Sequence, residues 1–106
     1  MKIFTTFTAG ENDYKLRLTA SAIMQIEKKL NKPLFSALEN IQEDVIGIIT
    51  AILWGAMQPL NANITHEKVL ELFDEYIDEG NSIEDLMKVI DELFKSSGFF
   101  SKGQKK

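Results

Sequence analysis

Cysteine is absent from the sequence and histidine occurs once, and each scarcity removes a body of chemistry. Without thiols there is no disulfide, no thiolate nucleophile and no cysteine-based zinc or iron–sulfur site. That absence fits a reducing compartment. The lone His66 lacks the neighbours that a catalytic base or metal ligand needs, and its place at an expected helix start reads as an exposed first-turn residue. There is no glycine-rich phosphate loop, no serine-centred nucleophile elbow and no His–Glu metal motif. A calcium loop fails on spacing. Counted from Asp74, the third position is Tyr76 and the sixth Glu79; counted from Asp78, they are Gly80 and Ile83. Carboxylate pairs such as Asp74/Asp78 and Asp91/Glu92 read as ordinary helix-surface acids. The expectation is a protein that is not an enzyme and carries no cofactor or metal.

Long hydrophobic runs are also missing. No charged side chain occurs from Val45 through Thr65, but the strongly apolar part, Val45 to Met57, is too short to span ~30 Å of hydrocarbon. Gln58, Pro59, Asn61 and Asn63 then interrupt it, so a buried core helix is expected rather than a membrane span. The N-terminus has no run of signal-peptide length, and Lys2 excludes N-myristoylation, which together read as cytosolic.

What is present is a globular composition. Of 106 residues, 44% are hydrophobic and 26% charged, enough for one domain and too few for two. The net charge of −4 is unevenly spread. Positions 67–92 hold ten carboxylates against Lys68 and Lys88, a net of −8, whereas Lys95 to Lys106 carries four lysines and no acid. An acidic body repels phosphate backbones, which disfavours nucleic acid as a partner.

Residues 2–8 and Tyr14 to Leu18 are strand-like runs around the turn cluster Ala9 to Asp13, and predict a β-hairpin. A lone hairpin is marginal in water, so the face bearing Tyr14, Leu16 and Leu18 should pack on helices. Ala22, Ile23, Ile26 and Leu30 share one helical face, capped by Thr19 or Ser21 and stopped by Asn31-Lys32-Pro33. A short helix, Leu34 to Asn40, follows. The segment from about Glu43 to Gln58 is apolar almost all round and predicts a buried helix, with Trp54 in the core. Gly47 and Gly55 there either permit close packing or mark bends. Thr65 then caps an amphipathic helix that ends at Gly80-Asn81, and Ser82 with Asp85 forms a box-like start for another, carrying Ile83 to Phe94. The reading is mainly α with a small β part (α+β): an N-terminal β-hairpin packed on a bundle of about four to five helices. One globular domain spans 1–97, with the hairpin over 2–18 and helices over 19–97, and 98–106 form a flexible basic tail.

Two sets of residues are candidates for contact with a partner. Phe99 and Phe100 follow the Ser96-Ser97-Gly98 break, and either fold back on the core or stay exposed as a hydrophobic anchor. Glu71, Asp74, Glu75 and Asp78 lie in the acidic stretch and could complement a basic partner.

The succession of features is more specific than any one of them. Tyr14-Lys15-Leu16-Arg17-Leu18-Thr19-Ala20 leads to Ile26-Glu27-Lys28-Lys29-Leu30-Asn31-Lys32-Pro33-Leu34, then to Ala51-Ile52-Leu53-Trp54-Gly55-Ala56-Met57, a loop, Ile64-Thr65 and an acidic helical pair. Over about residues 13–95 this resembles the tail assembly chaperones of long-tailed bacteriophages and prophages. The resemblance implies a mainly helical, non-enzymatic factor in the cytoplasm of a bacterial host. Its partner would be the tape measure protein or another tail protein, with no nucleic acid and no membrane. It also implies self-association into a homo-oligomer, and two lengths of product through a frameshift, of which an ending such as Gly103-Gln104-Lys105-Lys106 would suit the shorter. It supplies no catalytic residues. The alternatives are a phage structural component, of the tail or the head–tail region, that stays in the particle, and a small regulator binding nucleic acid through its lysine tail.

Overall fold

Alternation builds the first element. The computed structural model describes residues 4–61 and 63–98, and within them strands β1 (Thr5–Ala9) and β2 (Asn12–Leu16) pair antiparallel from Thr5↔Leu16 to Ala9↔Asn12. The pairing runs into the expected turn cluster, so the loop is only Gly10 and Glu11 rather than Ala9 to Asp13. Gly10 supplies the reason: its φ of 64° meets the positive value that a tight two-residue hairpin loop requires at its first position. Thr5, Phe7 and Ala9 point inward, and on the second strand Leu16, with Leu18 just beyond it, is buried while Tyr14 is half-buried. The face bearing Tyr14, Leu16 and Leu18 packs against the helical core, as the alternation predicts.

Helix α1 (Ala20–Leu30) starts where Thr19 Oγ1 accepts from the Ala22 N–H at 3.0 Å, and ends at Asn31 in the left-handed conformation, ahead of Pro33. The Glu27 carboxylate reaches over this break and accepts from the Leu34 N–H at 2.8 Å, tying α1 to α2 (Leu34–Glu39). A single 3-10 turn, Ile41–Glu43, follows and was not expected. It takes Glu43 out of the central helix, so α3 (Val45–Met57) starts two residues later than the apolar run suggests, with Asp44 as its cap.

α3 is the centre of the molecule. Ile48, Ile49, Ile52, Leu53, Ala56 and Met57 are closed off from water, each large one contributing about 1.5–3 kcal/mol. α1, α4 and β2 pack around it. Gly55 marks a close approach and not a bend: a Cβ there would collide with Ile26 of α1 and press on the Ala22 carbonyl. The end of α3 is sewn to the hairpin. The Arg17 N–H donates to the Ala56 carbonyl at 2.9 Å, and Asn61 Nδ2 donates to the carbonyls of Lys15 and Met57, at 2.8 and 3.1 Å. These bonds occupy carbonyls at a helix end that have no partner within the helix.

Thr65 caps α4 (His66–Asp78), accepting from the Lys68 N–H at 3.1 Å. The helix closes as the Gly80-Asn81 pair predicts: Gly80 N–H donates to the Ile77 carbonyl and Asn81 N–H to that of Tyr76, the two bonds of a Schellman ending. α5 (Ile83–Ser97) opens with a complete capping box in which Ser82 and Asp85 each accept from the other's N–H. α4 and α5 both lie on β1, where the Phe7 and Tyr76 rings are 5.0 Å apart and the hydroxyls of Thr5 and Ser96 are 3.3 Å apart. The result is a mainly α fold with an N-terminal hairpin packed on five helices. No helix among the described residues is long and apolar enough to cross a membrane.

Candidate functional site

The sequence's four acidic candidates share one side of α4. Glu71, Asp74, Glu75 and Asp78 fall at helical spacing opposite the buried Val69, Leu72, Phe73 and Tyr76, and all four are exposed. Lys68 sits 4.0 Å from Glu71, and this exposed pair contributes little. Glu75 reaches the hairpin loop beside Gly10. The face is a solvated field of like charge. Among the described residues, no group of three or more histidines and carboxylates could hold a metal ion. Phe99 and Phe100, the other candidates, lie outside the described residues, with the rest of the basic tail.

His66 departs from expectation. It begins α4 but is half-buried, not exposed, because α4 folds back along α3 and brings its ring against Thr50 and Trp54. Thr50 Oγ1 lies 2.7 Å from the Ile46 carbonyl, to which it donates, and 3.3 Å from His66 Nε2. A hydroxyl that has given its proton to Ile46 accepts here, which assigns the proton of the neutral imidazole to Nε2. Burial, and then the nearby Lys29 charge, hold the His66 pKa below its ordinary value. Trp54 is also only half-buried, where the core was expected. Its indole carries the Lys29 ammonium 4.7 Å above the ring, and it meets His66 in a T-shaped pair with centroids 6.4 Å apart. The sequence shows each of these residues but not their meeting, which is made by the packing of α1 and α4 against α3.

Sequence reasoning also missed the apolar surface on the first two helices. Met24 of α1 and Phe35 of α2 are 69% and 64% exposed, the highest values among the large hydrophobic residues described. Met24 belongs to an open groove of about 840 Å³ along α1, with Ser21, Gln25, Lys28, Lys32 and Pro33 among its walls. One signal was available: Met24 falls outside the stripe of Ala22, Ile26 and Leu30.

The surface is thus that of a small helical domain with an acidic side and an open groove along α1. By sequence the chain belongs to DUF6096, a family of unknown function, whose model matches residues 1–106. No curated protein and no solved structure matches it.

Proposed function

We propose that this chain is a protein-binding assembly factor, a tail assembly chaperone that holds a helical tape measure protein until the tail tube forms around it. The observation that carries the reading is the apolar surface of α1 and α2. A domain that closes five large side chains of α3 away from water leaves Met24 on α1 and Phe35 on α2 largely exposed, and exposed apolar surface marks contact sites. The acidic side of α4 adds solubility and would speed encounter with basic segments of a client, apart from the segment that the α1 surface holds. The order of sequence features over residues 13–95 and the mainly helical fold with its small β element agree with that family of chaperones. The test is co-expression with a candidate tape measure protein, followed by pull-down and size-exclusion chromatography with light scattering. The expected result is a soluble client that co-elutes with several copies of this chain. A client that stays insoluble while the chain elutes alone would remove the proposal in favour of a component that stays in the particle.

A further inference from the structure

The groove along α1 has a chemistry of its own. Its walls include Ser21, Met24, Gln25, Lys28, Asn31 and Lys32, a ribbon that follows α1 from its first turn past its last. Eleven residues of helix span about 16 Å, the length of three turns of a second helix laid alongside. The apolar contribution comes from Met24 and Pro33. The rim is basic: Lys28 in the last turn of α1 and Lys32 just beyond its end both line it, and Lys29, next to Lys28, lies over Trp54. Glu27, the acid among the walls, is turned onto the Leu34 N–H and offers that oxygen to the fold instead of to a ligand. A cationic, apolar strip therefore lies on a chain whose net charge is −4.

We propose that this groove docks an amphipathic helix of a partner protein, one whose large apolar side chain seats by Met24 and whose flanking acids meet Lys28 and Lys32. Charge selects the occupant. A basic helix is repelled at the rim and drawn instead to the exposed acids of α4. The inference rests on the protein-binding reading and specifies the chemistry of one contact.

The probe is a fluorescein-labelled helical peptide of about 18 residues with leucines at i, i+4 and i+7 flanked by glutamates. Its counterpart has lysines in place of the glutamates. Anisotropy titrations of the full chain should show binding of the glutamate peptide, at least about tenfold tighter than the lysine peptide. The chain has one tryptophan, and Trp54 lines the adjoining depression that shares Gln25 and Lys28 with the groove, so its emission should shift on binding. K28E/K32E should weaken the glutamate peptide about tenfold and M24S should weaken it as well, whereas K95E, a single lysine-to-glutamate reversal on α5, should not. All four positions are exposed, and circular dichroism verifies that each variant folds. Equal binding of both peptides, no binding of either, or full binding by K28E/K32E would overturn the assignment. So would a wild-type oligomer that K28E/K32E dissolves, because the occupant would then be a second copy. A client that co-purifies with wild type while the glutamate peptide fails removes the groove assignment alone. A bound peptide with no client removes the assembly-factor reading alone.

Discussion

Gly55 lies where α1 crosses α3, and there its missing side chain matters more than its helix propensity. Replacing it by alanine gains about 1 kcal/mol of propensity but drives a methyl into Ile26, which is buried and cannot swing away. Overpacking of this kind costs about 1–3 kcal/mol, so G55A should lower stability in urea unfolding. Combining G55A with I26V removes part of the collision, and a double-mutant cycle should show favourable coupling. His66 predicts a pH effect of definite sign. Its folded pKa lies below the unfolded value, so the folded state resists protonation. The associated stability is complete above the unfolded value of 6.5 and is lost as pH falls through the folded value. Melting temperature should therefore fall on acidification from about pH 7.5 to 5.5, more steeply in wild type than in H66Q.

The helices report how much of a sequence's local grammar survives folding. Thr19, Thr65 and Ser82 cap where their side chains predict, and Gly80 closes α4, because caps and Schellman endings are decided within a few residues. S82A should cost about 1 kcal/mol and should fray the start of α5 first, as seen by amide hydrogen exchange. The hairpin was legible as a hairpin, but its loop was not. Asn12 and Asp13 are turn formers by composition, yet pairing with Ala9 and Thr8 carries them into the ladder, and Thr8 Oγ1 bonds Asp13 at 2.7 Å. The 3-10 turn at Ile41–Glu43 was illegible for a related reason: Asp44 takes the cap of α3 by bonding the Gly47 N–H, and the residues before it must accommodate. Asn61 reads as loop polarity alone, though it joins Lys15 to Met57. N61A should loosen the hairpin from α3 by about 1 kcal/mol and accelerate exchange of its amides.

Across the whole molecule, charge is segregated. The acids of α4 face away from the core, while Lys28 and Lys32 line the groove. The acidic candidates were visible because a run of like charge at helical spacing has few places to go other than solvent. The groove was not, because nothing in the order of residues tells that Met24 and Pro33 flank one depression. Reversing Glu71, Asp74, Glu75 and Asp78 to lysine should slow capture of a basic client and flatten the salt dependence of its association rate, as stopped-flow fluorescence would measure. An unchanged rate and salt slope would remove any role for that face.

The bond between Thr5 and Ser96 joins residues 91 positions apart, and both helices that cover β1 lie in the second half of the chain. On the ribosome, then, Phe7 is made long before the helices that shelter β1 exist. At about 5–20 residues per second, several seconds separate synthesis of β1 from completion of α5. Through much of that interval β1 lacks the two helices that cover it. A protein proposed to guard the apolar helices of another must itself be born with its own strands unguarded.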